Sequence, residues 1–201
     1  LFPYTTLFRS SDAFIGAMKT HMSNFHTGSL QTAMNELSNH DHSRFLTRTN
    51  RKVGRVQHLG HYAAEEGINP AVMREAVVIQ MTWPGAPTVY YGDEVGVCGF
   101  TDPDNRRTYP WGRENQELLA FHKIMIQLHK KYEVLKSGSL LFLQNGYQTL
   151  SYGRFSFDEQ VIVSVNNDEK ENEVEIPVWN VGISRFYNED LRQLVMRSEE
   201  H

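Results

Sequence analysis

Cysteine is nearly absent: Cys98 is the single one in 201 residues. One thiol cannot build a disulfide framework, so packing and hydrogen bonds must hold the fold. A reducing compartment fits that count. An excess of one charge is missing too. The formal net charge is −4, so no field draws the whole chain to nucleic acid or to an anionic membrane. No apolar run is long enough to cross a bilayer as a helix. No signal peptide is visible; with the true N-terminus expected to lie outside this sequence, the location stays open between cytoplasm and secretion. Internal repeats and low-complexity tracts are also lacking. Apolar residues are plentiful, at 40 % with 11 % aromatics, enough for a sizeable core in one or two domains.

Residues 1–10, Leu-Phe-Pro-Tyr-Thr-Thr-Leu-Phe-Arg-Ser, resemble the in-frame translation of a common sequencing adapter. They are set aside from the fold as a non-native segment without defined packing. From Ser11 onward the pattern is helical. Ser11 or Asp12 can cap, and Phe14, Ile15, Met18, Met22 and Phe25 recur at steps of three and four. Residues 33–38 read as a short strand ending at Asn39-His40-Asp41, with Asn35-Glu36 unusually polar for a buried strand. A polar loop follows, carrying Arg44, Arg48, Arg51, Lys52 and Arg55.

Asn69-Pro70 is a strong helix start, because Asn accepts at the cap and Pro fits the first turn. Val72, Ala76, Val77 and Met81 line one face, and Trp83-Pro84-Gly85 stops the helix. Thr88–Tyr91 reads as a strand ended by Gly92-Asp93-Glu94, and 95–113 as a loop. Leu118, Phe121, Met125, Leu128, Tyr132 and Leu135 then mark one amphipathic helix. After Gly138 the character changes to short strands at 139–144, 149–157, 160–167 and 171–178, with Val161, Val163 and Val165 on one face. A domain boundary is expected near residue 137, dividing 11–137 from 138–201. Leu191–Arg197 reads as one more strand or a frayed tail.

Alternating strand and helix implies parallel strands joined by crossovers. Parallel barrels hold their chemistry at the C-terminal ends of the strands. Asp41 and Asp93-Glu94 both fall at such ends.

Three motifs recur in a fixed order: Asn39-His40-Asp41; then Pro-Gly-Ala-Pro-Thr-Val-Tyr-Tyr-Gly-Asp-Glu over 84–94; then Asp-Pro-Asp-Asn-Arg-Arg over 102–107 with Pro110-Trp111. Together they resemble the α-amylase family of glycoside hydrolases, within it the neopullulanase, cyclomaltodextrinase and amylopullulanase group. The resemblance covers most of 11–178. It implies an α/β fold: a partial (β/α)8 TIM barrel, about its last two β/α units plus a preceding helix, then an antiparallel β-sandwich domain that is truncated.

The same resemblance assigns roles. Asp41 matches the catalytic carboxylate that stabilises an oxocarbenium-like transition state by gripping sugar hydroxyls. His40 matches the sugar-binding histidine beside it. Asp102 and Arg106 match a pair that contacts the bound glucose; a salt bridge that only folds the loop is the plainer alternative. Arg107 is then the structural member, Asp93-Glu94 brace the top of the barrel, and Arg44 orders the loop after Asp41. Of Trp83, Tyr90, Tyr91 and Trp111, only Trp111 is singled out for stacking on a sugar. His40-Asp41-His42 and His58-x-x-His61 lack the ligand set and spacing of a zinc site, so no metal and no cofactor is expected. Calcium in the parent is possible, but this chain has no matching loop.

A retaining glycosidase needs a nucleophile and an acid/base with carboxyl groups about 5–5.5 Å apart. No motif here supplies them. The expected function is therefore a fragment of a retaining α-glucan hydrolase, inactive alone, acting in its parent on α-1,4 or α-1,6 bonds of starch, pullulan, cyclodextrin or maltooligosaccharides. The alternatives are a non-catalytic carbohydrate-binding or scaffold relative and an interaction module without sugar affinity. Oligomeric state is left open. Two strands cannot close a barrel, so a marginally stable, aggregation-prone chain is expected.

Overall fold

The computed structural model describes residues 10–52 and 54–181. Helix α1 spans Ser11–Met22 and is capped by Ser10, whose hydroxyl accepts from the Ala13 amide at 3.2 Å. The cap thus lies one residue before the positions expected, inside the segment set aside; residues 1–9 of that segment lie outside the described residues. The helix stops short of Phe25. Ser23 Oγ and Asn24 Nδ2 both donate to the Thr20 carbonyl at 2.9 Å, and such local bonds compete with another turn. A six-residue helix α2, Thr27–Thr32, follows without a periodic signal in the sequence.

Strand β1 is Met34–Glu36 and strand β2 is Ala86–Thr88; they pair in parallel, Met34 opposite Ala86 and Glu36 opposite Thr88. Both are shorter than, or displaced from, the 33–38 and Thr88–Tyr91 expected. The reason is competition for the next backbone groups. The Leu37 carbonyl accepts from Arg48, the Thr88 carbonyl from Gln80 and the Tyr91 carbonyl from Arg44, so side chains rather than a neighbouring strand hold the backbone there. Gly85 enters β2 at φ +134°, where a Cβ would come within 2.7 Å of the Ala33 carbonyl oxygen; only glycine suits that approach.

Between the strands run α3 (Phe45–Arg48), α4 (Val56–Leu59) and α5 (Pro70–Thr82). Helix α5 begins as its sequence dictates: Asn69 Oδ1 accepts from the Ala71 and Val72 amides at 2.9 and 3.2 Å. Its buried face includes Met73, Ala76, Val77, Ile79 and Met81. Gln80 interrupts that face for a polar purpose, donating to the carbonyls of Asn35 (3.0 Å) and Thr88 (2.8 Å) and so joining β1 to β2.

Helix α6 (Gln116–Lys131) ends before Leu135. Tyr132 is extended, and Leu135 sits fully buried in a separate turn, α7 (Val134–Ser137). An antiparallel sheet follows in the order β3 (Ser139–Asn145), β4 (Thr149–Phe155), β5 (Gln160–Asn166). Val163 and Val165 are buried, and Val161 packs against the core. The strand expected over 171–178 does not form. Asn166, Asp168 and Asn172 instead build a turn whose side chains bond one another and the Lys170 carbonyl, and the chain then enters a 3-10 turn at Val178–Val181. Among the described residues there is one three-stranded sheet, and no second sheet packed on it as a sandwich requires. The strand or tail expected at Leu191–Arg197 lies outside the described residues.

The sheet does not stand apart from the helices. Trp83, at the end of α5, meets Phe14 at 5.6 Å, Tyr152 at 5.3 Å and Phe142 at 5.8 Å between ring centroids. Arg154, fully buried on β4, donates to the carbonyls of Thr82 (2.7 Å), Leu135 (3.0 Å) and Gly138 (2.8 Å). One apolar core therefore runs from α1 through α5 and α6 to the sheet.

Candidate functional site

Both polar motifs leave the same edge of the β1–β2 pair. After β1, Leu37 and Ser38 are buried. Ser38 Oγ accepts from the Phe45 amide at 2.9 Å, which closes the 38–45 loop at its base. Asn39 shapes the tip: its Oδ1 accepts from the amides of Asp41 (3.0 Å) and His42 (3.1 Å), and its Nδ2 donates to Glu36 at 2.7 Å. The turn projects His40 and Asp41 outward. Their side chains are 64 % and 67 % exposed, with His40 Nε2 and an Asp41 oxygen 3.5 Å apart.

After β2, a buried ion pair fixes the chain. Arg44 Nη1 lies 3.0 Å from Asp93 Oδ1, and both side chains are buried. The Arg44 guanidinium also lies over the rings of Tyr90 (4.0 Å) and Tyr91 (4.8 Å) and donates to the carbonyls of Tyr91 and Asn105. Burial pushes the Asp93 carboxyl up to about 6; the Ser38 hydroxyl and the Arg44 charge pull it back. Arg44 thus joins three segments: the loop after β1, the end of β2, and the 99–107 loop.

That third loop carries two interleaved ion pairs. Asp102 and Arg106 meet at 2.5 Å with each side chain about half exposed, 51 % and 49 %. Asp104 is enclosed, and its oxygens accept from the Phe100 amide (2.8 Å) and from Arg107 (3.1 and 3.0 Å) and face His61 Nδ1 at 2.8 Å. Burial alone would raise the Asp104 carboxyl, but these partners outweigh it and hold it below the usual carboxylate range. Arg107 continues to Glu65 (2.6 Å) and the His61 carbonyl (2.8 Å). The loop folds back on itself so closely that a Cβ on Gly99 would lie 2.8 Å from the Asn105 Cα. Gly99 also donates to Thr47 Oγ1 at 2.8 Å and accepts from the Arg44 amide at 2.9 Å.

The expected site residues therefore fall into two neighbouring loops and one outlier. His40 and Asp41 occupy the first loop, Asp102 and Arg106 the second, and Asn105 ties the loops together by donating to the carbonyls of Asn39 (3.1 Å) and His42 (2.8 Å). Trp111 stands further along, 81 % exposed, its ring 4.4 Å from Tyr109, whose hydroxyl bonds Glu94. Among the described residues, no hydrogen bond, ion pair or ring contact joins Trp111 to either pair. Trp83 is core, and Tyr90 and Tyr91 pack on Arg44. Ser38 and Asn105 shape the site though the sequence marks neither for a role; polar residues beside charged ones give no sign of burial there. Among the described residues, no three His, Cys, Asp or Glu side chains cluster as a metal site would need.

Residues 5–132 match the family model "Alpha amylase, catalytic domain". The chain belongs to the α-amylase family. Among curated relatives it is 37 % identical over 131 residues to an amylopullulanase of Thermoanaerobacter thermohydrosulfuricus, covering 61 % of this chain and 8 % of that protein. It is 35 % identical over 158 residues to a cyclomaltodextrinase of Thermoanaerobacter pseudethanolicus, covering 75 % and 25 %. Among solved structures, the debranching enzyme of Nostoc punctiforme superimposes with a TM-score of 0.65 at 25 % identity, over 78 % of this chain and 29 % of that one. The chain thus spans between 8 % and 25 % of the two curated relatives. The fold is part of a (β/α)8 barrel with an antiparallel sheet attached.

Proposed function

We propose that the chain forms one wall of the sugar site of a retaining α-glucan-active glycoside hydrolase. One observation carries the reading. Two polar pairs, His40–Asp41 and Asp102–Arg106, stay open to solvent at the C-terminal ends of adjacent parallel strands, while the charged groups beside them, Arg44, Asp93 and Asp104, are buried. Solvated carboxylates and a guanidinium on a braced rim suit the hydroxyls of a glucose ring, whose hydrogen bonds strengthen as positive charge develops at the anomeric carbon.

In this reading Asp41 stabilises the transition state, His40 binds the adjoining sugar hydroxyl, and Asp102 and Arg106 hold a neighbouring part of the glucan. Trp111, exposed on its loop, offers a stacking face to a more distant sugar unit. The nucleophile and the acid/base lie on other strands of the parent barrel, so the isolated chain binds without cleaving. Residues 11–137 belong to the barrel and those from 138 onward to a β domain of which one sheet is present. The relatives' names, amylopullulanase and cyclomaltodextrinase, support α-glucans such as pullulan and cyclodextrins as the parent's substrates, with α-1,4 or α-1,6 bonds as the ones cleaved.

The test is a calorimetric titration with maltotriose and with cellotriose. Maltotriose binding that Asp41→Ala and Arg106→Ala each weaken at least tenfold supports the reading. Equal binding of both sugars, or maltotriose binding that neither variant alters, contradicts it.

A further inference from the structure

We infer that Asn105 is a positioning residue that sets the spacing between the His40–Asp41 loop and the Asp102–Arg106 loop; the inference rests on the sugar-site reading above. Asn105 is fully buried, one residue before Arg106 in the 3-10 turn Asp104–Arg106. Its Nδ2 donates to the carbonyls of Asn39 and His42, the two residues that flank His40 and Asp41. Its own backbone carbonyl accepts from Arg44 Nε at 2.7 Å. The 39–42 turn is therefore held twice, from within by Asn39 Oδ1 on the Asp41 and His42 amides, and from across the site by Asn105. The exposed pairs need no direct contact, because this buried amide fixes their relation.

The geometry selects the residue type. With its amide reversed, Asn105 would point Oδ1 at two carbonyl oxygens, so only the observed orientation makes bonds. Ionised aspartate has no donor. Serine has one donor where two are used. Glutamine adds a methylene to a side chain that is already fully buried. Being buried, Asn105 does not reach substrate. Its effect passes through the placement of Asp41 relative to Arg106, and a small misplacement of a binding group is costly.

The test uses the full chain labelled with 15N, as wild type, Asn105→Asp, Asn105→Ser and a control, Leu150→Ala, which opens the core at β4 away from the loops. Two readouts are followed: amide exchange of Asp41 and His42 against that of Tyr152 and Val163, and the shifts of residues 39–42 on adding maltotriose. Asn105→Asp is expected to speed exchange at Asp41 and His42 at least tenfold relative to Tyr152 and Val163, and to weaken the maltotriose response at least tenfold. Asn105→Ser falls between, and it carries the comparison if Asn105→Asp does not fold. Leu150→Ala lowers the melting temperature but changes neither readout selectively. Unchanged exchange at Asp41 and His42 in the Asn105 variants, or equal acceleration in the control, overturns the inference. If wild type gives no maltotriose response, the sugar-site reading fails, and the exchange comparison still decides the role of Asn105.

Discussion

Two ion pairs share one turn and differ in almost everything else. Asp102–Arg106 lies half in solvent, whereas Asp104, two residues along, is enclosed by Arg107, His61 and the Phe100 amide. The first pair has ionic partners on one side and water on the other. The second, with Arg44–Asp93 behind it, is built into the body of the rim. The contrast separates groups that hold the loops from groups left free to meet a ligand. In an enclosed pair, removing one member strands the other; in an exposed pair, water replaces it.

The sharpest way to break this contrast is Arg44→Met. It strands the Asp93 carboxylate and removes donors from the carbonyls of Tyr91 and Asn105. A loss of about 3–5 kcal/mol is expected, read as a large drop in thermal midpoint or failure to fold. Asp104→Ala comes next, at roughly 2–3 kcal/mol, since it leaves the buried Phe100 amide without its acceptor and takes from Arg107 its enclosed carboxylate. Its signature is pH-dependent. The folded Asp104 carboxyl titrates below its unfolded value, so its stabilisation is present above about pH 4 and is lost as pH falls through the folded pKa. Urea denaturation of wild type and Asp104→Ala should therefore converge in acid.

A third change has the opposite sign. Glu75 lies on α5 in a cleft of 710 Å³ between α5, α6 and β5, one carboxylate oxygen buried without a hydrogen-bond partner. Burial pushes its carboxyl up to about 8. The folded state then binds the proton more tightly than the unfolded chain, so stability falls as pH rises from about 4.5 towards 8. Glu75→Gln is expected to raise the midpoint at pH 8, by about 1–2 kcal/mol of stability, and to change little at pH 4. The smallest effect on stability belongs to Arg106→Ala, under about 1 kcal/mol for an exposed pair. A destabilisation as large as that of Asp104→Ala would erase the distinction drawn between the pairs.

How much of this was legible in the sequence depended on whether a signal was local. Asn69-Pro70 set the start of α5 because cap and first turn are decided by adjacent residues, and Val161, Val163 and Val165 marked the inner face of β5. The strand ends were misplaced because side chains from other segments hold the backbone there: Arg48 the Leu37 carbonyl, Gln80 the Thr88 carbonyl. The absent strand over 171–178 had a plausible pattern, but the Asn166–Asn172 turn satisfies itself locally. In the candidate site, motif order marked Asp41 and Arg106 for the roles proposed above. It could not show that Asn105, lodged between charged neighbours, is buried and bridges the two loops, because burial of one amide is a property of the assembled loops.

The central claim is that His40–Asp41 and Asp102–Arg106 face one ligand. The most direct test is a 15N-resolved titration of the chain with maltotriose. The account predicts that amides of 39–42 and 102–106 shift together with one dissociation constant, and that both sets lose their response in Asp41→Ala. Shifts confined to one loop, or two sets saturating at different concentrations, would contradict it.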